Sequence, residues 1–258
     1  MKNSKIEKIA NNLVKAFVYN KTITPIPLKY TKNMKDAEKL RRLCESKVKK
    51  PIVGFKAAGT GIPVLKKLGE KEPFYASIFK NNILKSGKSV KTNPYTLGIE
   101  LEVGYLIKKS FFQSKGSINF INIHKHILHM MTAIEVVGYR QKKRGIKFLG
   151  DLCSDFGANV KFVLGKKSKY KKINFGELKS SIENKKIKQL VSGHTNTVYV
   201  NPLNSLKFVL NKLKKDKIIL NKNFYIFTGS TVGVVPILGK GIYLGKIDKL
   251  GSVKAKII

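Results

Sequence analysis

Acidic residues are scarce in this sequence. The 258-residue chain has 15 Asp and Glu against 52 Lys and Arg, a formal net charge of +37, and only four of the basic residues are arginine. Nucleic-acid recognition relies heavily on the bidentate arginine fork, so the composition favours a lysine-rich solvated surface over a dedicated nucleic-acid protein, without excluding the latter. Under either interpretation a positive field attracts small anionic substrates, although salt screens it over roughly 8–10 Å.

Cysteines and long apolar runs are scarce as well. Cys44 and Cys153 are far apart and fit no metal-binding spacing, which indicates a reduced, cytoplasmic protein without excluding a single disulfide between them. The longest uncharged run, Asn223 to Gly239, is interrupted by glycine and proline. Two buried strands joined by a turn suit this run better than a helix in lipid, so we expect no membrane partner.

Two regions differ in their sequence pattern. Residues 1–50 predict a helical segment, with one helix beginning near Asn33. From residue 51 to residue 258, short apolar segments alternate with glycine and proline. This pattern predicts an α+β domain built on a mixed, largely antiparallel sheet, with helices near Ile123 to Met131 and Pro202 to Lys215.

Three of the few acids stand in strand-like apolar sequence. Glu100 and Glu102 alternate with Ile99, Leu101 and Val103, so in a strand both carboxylates point to one face. Glu135 is isolated in an apolar run. Buried carboxylates need a compensating cation, and three oxygen donors favour a hard ion such as Mg²⁺ or Mn²⁺. A solvated strand face paired with surface lysine remains an equal alternative from the spacing alone.

These acids, with several short elements around them, resemble the 2-keto-4-pentenoate hydratases and 4-oxalocrotonate decarboxylases of the fumarylacetoacetase superfold. The resemblance covers roughly residues 34–258 in the family's order. Besides the Glu-x-Glu strand and the Glu135 to Arg140 segment, its elements are Gly54-Phe55-Lys56, Leu68-Gly69 with Glu72-Pro73, Asp151 with Asp155, Thr228-Gly229-Ser230, Val235-Pro236 and Gly251-Ser252-Val253.

The resemblance implies a fumarylacetoacetase-like sheet roll that holds Mg²⁺ or Mn²⁺ on Glu100, Glu102 and Glu135. The implied substrate is a small anionic 2-oxo acid, and the implied activity is hydration of a 2-hydroxypenta-2,4-dienoate. Decarboxylation of the 4-oxalocrotonate type and a non-catalytic basic binding protein on the same fold are the alternatives. Assembly into a homo-oligomer is expected as well.

The resemblance also assigns roles to five further side chains. Two are candidate catalytic groups, for binding the substrate anion, moving a proton or positioning water, and three are candidate substrate-binding groups. The first set is Lys56 and Asp155, and the second is Thr228, Ser230 and Arg140. For Asp155, Thr228 and Ser230 a structural role in a turn or cap is an equal alternative, and for Lys56 the alternative is one more surface lysine.

Five positions depart from the family pattern. Gly98 replaces a basic or polar residue, Gly138 replaces an acid, Ala58 and Ala76 replace glycines, and Phe156 replaces an asparagine. The departures surround the three glutamates but leave them in place. The sequence therefore supports the metal site more strongly than the identity of the substrate.

Overall fold

The computed structural model describes residues 2–141 and 145–258. It contains five described α-helices, of which three run for 14 residues or more and two are short. They are α1 (Lys2–Tyr19), α2 (Met34–Lys47), α3 (Ile62–Lys67), α4 (Leu149–Ser154) and α5 (Pro202–Lys215). Among the described residues no helix is long and apolar enough to cross a membrane.

The described strands form two sheets. They are β1 (Ile52–Ala58), β2 (Phe74–Phe79), β3 (Ile83–Lys85), β4 (Ser89–Val90), β5 (Thr96–Ile107), β6 (Ile127–Gly138), β7 (Asn159–Leu164), β8 (Ser168–Lys169), β9 (Lys179–Asn184), β10 (Gln189–His194), β11 (Phe224–Ser230), β12 (Gly241–Ile247) and β13 (Gly251–Ile257). The larger sheet runs β2-β1-β11-β5-β6-β7-β3, with β8 paired to β6, and the smaller runs β10-β9-β12-β13-β4. Most pairs are antiparallel, and β1–β11, β3–β7 and β4–β13 are parallel. The predicted α+β class with a mixed, largely antiparallel sheet is confirmed.

The N-terminal helices pack on the larger sheet. Asn33 caps α2 by accepting a hydrogen bond from the backbone N–H of Lys35 at 2.8 Å, so this helix begins where the sequence predicts. Glu45 of α2 accepts a hydrogen bond from the backbone N–H of Ser77 on β2 at 2.8 Å. Phe17 of α1 stacks on Phe156, with 4.3 Å between the ring centroids. These contacts join the helical segment to the sheet. The division of the chain into two parts at residue 50 stays a prediction.

One predicted helix is wrong and another is confirmed. The segment predicted as a helix from Ile123 to Met131 contains a single 3-10 turn, Ile123–His126, and then the start of β6. The reason is pairing, because β6 lies antiparallel to β5 over almost its whole length and forms β-ladder hydrogen bonds there. The second prediction, Pro202 to Lys215, coincides with α5, which Asn201 caps through the backbone N–H of Leu203.

Strand β5 separates the main core from the opposite face of the larger sheet. Its residues Ile99, Leu101 and Val103 are fully buried in the core cluster that also contains residues of α5 and the smaller sheet. The alternating residues, among them Glu100 and Glu102, point to the other face. The alternation in the sequence therefore predicts the two faces correctly.

Candidate metal centre and cavity

Three glutamates converge on one face of β5 and β6. Glu100 and Glu135 are directly opposite each other in the antiparallel register, and Glu102 follows two residues along β5 on the same face. Oxygens of the three carboxylates lie within 4.8 Å of one another. Glu102 and Glu135 are fully buried, and Glu100 is half-buried. The structure thus brings together the three residues for which the resemblance implies a metal site.

Lys56 reaches this cluster from β1. Its Nζ donates hydrogen bonds to both carboxylate oxygens of Glu135, at 2.6 and 2.7 Å. In the sheet β11 and β5 separate β1 from β6, and neighbouring strands are about 4.8 Å apart, so a flat sheet would hold these two strands about 14 Å apart. The contact indicates that the sheet curves around this face. Lys56 is therefore a buried member of the cluster and not a surface lysine.

Burial and the attraction between Lys56 and the glutamates dominate the electrostatics of the cluster. Burial raises the pKa of Glu100 to about 7, the nearby Lys56 ammonium partly opposes this shift, and repulsion from Glu102 adds to it. Burial alone would lower the pKa of Lys56, but attraction by Glu135, Glu100 and Glu102 outweighs it, so the pKa of Lys56 is raised. One ammonium supplies too little positive charge for all three carboxylates to be ionised together, in keeping with the raised pKa of Glu100.

Glu102 shows how the cluster fits a cation. Its Oε2 accepts a hydrogen bond from the backbone N–H of Gly229 at 2.7 Å. Its Oε1 is buried and has no hydrogen-bond partner. An ionised oxygen left in this state is costly, and a bound cation would compensate it. All-oxygen donors of this kind suit a hard divalent ion, so the residues present fit the implied metal.

The backbone near Gly229 is shaped for this contact. Gly229 has φ +108°, and a Cβ at this position would overlap Thr60 Oγ1. The pairing of β11 with β5 is also irregular between Phe227 and Ser230, which lets the N–H point at Glu102 instead of continuing the ladder. Only glycine combines this backbone conformation with the close approach of the 60 loop.

A cavity of about 230 Å³ opens beside the cluster. Its described polar lining comes from Lys56, Thr60, Glu100 and Ser230, together with the backbone of Gly229. The aliphatic lining of the cavity consists of Val64, Leu97, Val137, Ile146, Leu152 and Val234. Typical cavities for drug-sized ligands are roughly 300–1,000 Å³, so this one suits a smaller molecule.

The two hydroxyl residues predicted to contact substrate differ in position. Ser230 lines the cavity, where its hydroxyl donates to the carbonyl of Gly233 at 2.7 Å. Thr228 is fully buried and donates to the carbonyl of Val103 at 3.0 Å, and it is not among the described lining residues. Ser230 thus lies at the cavity wall and its contact with substrate stays a prediction, whereas the hydroxyl of Thr228 serves the pairing of β11 with β5.

Arg140 and Asp155 contact each other and do not reach the cavity lining that the structure describes. Asp155 accepts hydrogen bonds from the backbone N–H and the Nη1 of Arg140, at 2.6 and 2.9 Å. The guanidinium also lies over the rings of Phe17 and Tyr95, at 5.0 and 4.8 Å from their centroids. Both partners of the ion pair are at most 1% exposed. Their contacts are structural, fixing α1 and the turn after α4, and catalytic or substrate roles for them stay predictions.

A strained turn follows Asp155. Phe156, Gly157 and Ala158 all have positive φ, at +53°, +67° and +61°. Non-glycine residues in this conformation cost of order 1–3 kcal/mol each. The Phe156 ring packs among Phe17 and Phe79, which offsets the strain, while Gly157 and Ala158 line the cavity. A phenylalanine that replaces the family's asparagine thus secures the turn through α1.

Close packing accounts for three other departures from the family's sequence pattern, at Gly98, Gly138 and Ala76. A Cβ on Gly98 would overlap the carbonyl oxygen of Val235, which pairs with Ile99 across this gap. A Cβ on Gly138 would lie 2.7 Å from the ring of Tyr95. The methyl group of Ala76 lies against Gly157, and a Cβ added at Gly157 would lie only 2.7 Å from that methyl group. Nothing in the structure explains the alanine at position 58.

Sequence reasoning missed two parts of the site. One is the hydrogen bond from the backbone of Gly229, for which the Thr-Gly-Ser element was the only signal. The other is the aliphatic wall, whose residues are spread from Val64 to Val234 and share no motif.

Comparisons with known proteins give relatives in sequence and in structure. No protein-family model matches the chain. A 2-keto-4-pentenoate hydratase of Burkholderia vietnamiensis (strain G4) is 24% identical over 206 residues, which are 79% of this chain and 77% of that protein.

Two solved structures of 4-oxalocrotonate decarboxylase from Pseudomonas putida G7 align with all of this chain and 99% of theirs. The one complexed with calcium and acetate has a TM-score of 0.84 at 18% identity, and the one complexed with magnesium and adipate has 0.83 at 20%. Fumarylpyruvate hydrolase from Pseudomonas aeruginosa, in complex with Mn²⁺ and pyruvate, has 0.58 at 12% identity, covering 81% of this chain and 91% of its own. The chain therefore has the fumarylacetoacetase-like fold, and its resemblance to the 2-keto-4-pentenoate hydratases and 4-oxalocrotonate decarboxylases is confirmed.

Proposed function

We propose that the protein is a divalent-metal-dependent lyase that hydrates small 2-hydroxy-2,4-dienoates, the enol forms of 2-oxo acids. The observation that carries the proposal is the convergence of Glu100, Glu102 and Glu135 beside a small cavity. These three side chains would hold the ion, with Mg²⁺ or Mn²⁺ as the expected metal. When bound, the ion would supply Lewis-acid stabilisation of negative charge on the carboxylate and 2-oxygen of the substrate.

The residues around the cluster have distinct tasks in this reaction. Glu102 is held in place by the backbone N–H of Gly229, so its second oxygen stays directed into the cluster. The Lys56 ammonium offsets carboxylate charge and is the described basic group that can pass a proton between Glu135 and a substrate in the cavity. The Ser230 hydroxyl lies at the cavity wall, where it can hydrogen-bond a substrate oxygen or the attacking water.

Decarboxylation of a 2-oxo acid of the 4-oxalocrotonate type is the second candidate. Its support is the structural similarity to the Pseudomonas putida decarboxylase over the whole chain, including a complex of that protein with the dicarboxylate adipate. The two reactions differ in their products, because hydration adds water and decarboxylation releases CO₂. An assay that follows both, with each candidate substrate, separates them.

Isothermal titration of Mg²⁺ and Mn²⁺, with and without oxalate, tests the metal and the acid head together. Oxalate resembles the carboxylate and 2-oxygen of a 2-oxo acid. We expect metal-dependent oxalate binding that the double variant Glu100→Gln, Glu102→Gln loses. The control is Glu177→Gln, which makes the same Glu→Gln change once at an exposed position outside the cluster and should bind as the wild type does. Absence of metal-dependent oxalate binding by the wild type would contradict the proposal.

Assembly into a homo-oligomer and a cytoplasmic location stay predictions. Sedimentation equilibrium of the purified chain measures the first. The nucleic-acid alternative raised by the +37 charge predicts binding of duplex DNA that weakens steeply with salt and is indifferent to Glu102→Gln.

A further inference from the structure

The loop after β1 holds Thr60 in place from several sides. Gly59 has φ +71°, and a Cβ there would lie 2.7 Å from the side chain of Leu149 in α4, so the loop packs closely on that helix. The carbonyl of Thr60 accepts a hydrogen bond from the backbone N–H of Tyr199 at 2.9 Å. Gly61 then precedes α3 as its N-terminal cap residue. The backbone of Thr60 is therefore fixed, and its β-branched side chain has few rotamers available.

The Thr60 hydroxyl lies beside the backbone that holds a predicted metal ligand. Gly229 donates its N–H to Glu102 Oε2 at 2.7 Å, and a Cβ on Gly229 would overlap Thr60 Oγ1. The hydroxyl thus occupies space that only glycine leaves open at this position. Thr60 also lines the cavity, as do Glu100 and Lys56 of the cluster. The hydroxyl is therefore part of the cavity wall next to the three glutamates.

This hydroxyl is not used inside the protein. Thr60 is 5% exposed. Within residues 2–141 and 145–258 its Oγ1 has no hydrogen-bond partner, yet it is not sealed from solvent, so it opens into the cavity that the residue lines. The hydroxyl of Ser230 is engaged, since its Oγ donates to the carbonyl of Gly233 at 2.7 Å and accepts from the N–H of Val232 at 3.3 Å. Thr60 is thus the described lining hydroxyl whose hydrogen remains available to a ligand.

We propose that the Thr60 hydroxyl donates a hydrogen bond to the anionic head of the metal-bound acid and so positions that head beside the cluster. The proposal rests on the proposed function, since the metal is taken to bind the head. Ionised Glu100, Glu102 and Glu135 are acceptors only and repel an anion, so the head needs donors from other parts of the wall. A hydroxyl without an internal partner breaks no protein hydrogen bond when the ligand arrives, and its bond to a carboxylate is stronger than one between neutral groups.

Calorimetry of oxalate binding to the whole chain at saturating Mn²⁺ tests this contact. Thr60→Ala and Thr60→Ser both remove the methyl group, and they differ from each other only in the hydroxyl. We expect Thr60→Ala to weaken oxalate binding at least about tenfold, because a hydrogen bond to a charged group is lost, and Thr60→Ser to stay within about threefold of the wild type.

Two controls accompany this measurement. Thr24→Ala makes the same substitution at an exposed position that is not among the described lining residues, and it should bind oxalate as the wild type does. Mn²⁺ binding without oxalate should be unchanged in all three variants, because the contact between Gly229 and Glu102 remains.

The outcomes separate this inference from the proposed function. Weaker oxalate binding by Thr60→Ala alone, at unchanged Mn²⁺ affinity, would support the hydroxyl contact. If the wild type binds oxalate with Mn²⁺ and Thr60→Ala binds it as tightly, the contact is wrong and the proposed metal site stands. Equal losses in Thr60→Ala and Thr60→Ser, or a loss of Mn²⁺ affinity in Thr60→Ala, would also overturn the contact, because the packing of the 60 loop would then be the cause. If the wild type shows no Mn²⁺-dependent oxalate binding, both proposals are wrong.

Discussion

Glu102→Gln should make the metal-free protein more stable and the metal-loaded protein less so. In the wild type Glu102 Oε2 accepts a hydrogen bond from Gly229, while its Oε1 is buried without a partner and lies in a cluster with two more carboxylates. Glutamine can keep the first contact through its amide oxygen. Its NH₂ group then replaces the unpartnered oxygen and can donate to a neighbouring carboxylate, while one negative charge is removed.

The magnitudes follow from burial. An unpartnered buried polar group costs about 1–3 kcal/mol, so the metal-free variant should gain that amount. For a chain of this size, about 1 kcal/mol corresponds to roughly 2–4 °C in Tm, which gives an increase of roughly 2–12 °C. Metal should reverse the order, because a ligand at one hundred times its Kd stabilises the wild type by about 2.7 kcal/mol and the variant has lost a charged ligand.

Thermal unfolding by differential scanning calorimetry at pH 8, with EDTA or with excess Mn²⁺, measures both effects. The control Glu177→Gln should melt with the wild type under both conditions. A metal-free Glu102→Gln protein that is less stable than the wild type would refute the reasoning about the unpartnered oxygen. An equal Mn²⁺-induced shift in variant and wild type would refute the role of Glu102 as a ligand.

Three further predictions concern neighbouring features. Gly229→Ala should weaken Mn²⁺ binding at least about tenfold in calorimetry, because its Cβ would overlap Thr60 Oγ1 and displace the N–H that holds Glu102. Mn²⁺ affinity should rise with pH and level off above the pKa of Glu100, which is about 7, because protons compete with the metal for this carboxylate at lower pH. Calorimetry from pH 5.5 to 8.5 measures this dependence. Asp155→Ala should lower the free energy of unfolding in urea by about 3–5 kcal/mol, because it leaves Arg140 buried without its carboxylate.

Each of these three predictions has a control or a result that would contradict it. Gly69 has φ +72° with open space around it, so Gly69→Ala controls for backbone strain alone and should leave Mn²⁺ affinity unchanged. Because the pKa of Glu100 is raised in the fold, the contribution of this residue to the stability of the metal-free protein is fully present below the unfolded pKa of about 4.3 and is lost as pH rises towards 7. Affinity that falls with pH over this range would contradict the assignment of Glu100. An Asp155→Ala protein of unchanged stability would contradict a structural role for that residue.

The sequence carried enough information to place two of the three glutamates together. Strand alternation alone puts Glu100 and Glu102 on one face, and the main-core burial of Ile99, Leu101 and Val103 bears this out. The third glutamate, isolated in an apolar run, could be named as a candidate ligand, but its position opposite Glu100 could not be worked out from the pattern. Strand register decides which residue faces Glu100, and register depends on partners that are distant in the sequence.

Other features depended on tertiary contacts that no local pattern encodes. The His-rich segment before Met131 has a helical spacing, yet pairing with β5 makes most of it a strand. No local sequence pattern distinguishes Lys56 from the other lysines. Its contact with Glu135 depends on the curvature of the sheet, which brings the two side chains together. Arg140 and Asp155 were predicted as site residues from family position, and their mutual ion pair appears only in the folded chain.

The most direct test of the central claim is anomalous diffraction at the manganese edge from crystals grown with Mn²⁺. The account predicts one strong anomalous peak within coordination distance of carboxylate oxygens from Glu100, Glu102 and Glu135, and no such peak in crystals of the Glu100→Gln, Glu102→Gln protein. A cluster without a peak in the wild type, or an equal peak in the variant, would contradict the claim that these glutamates form a metal site.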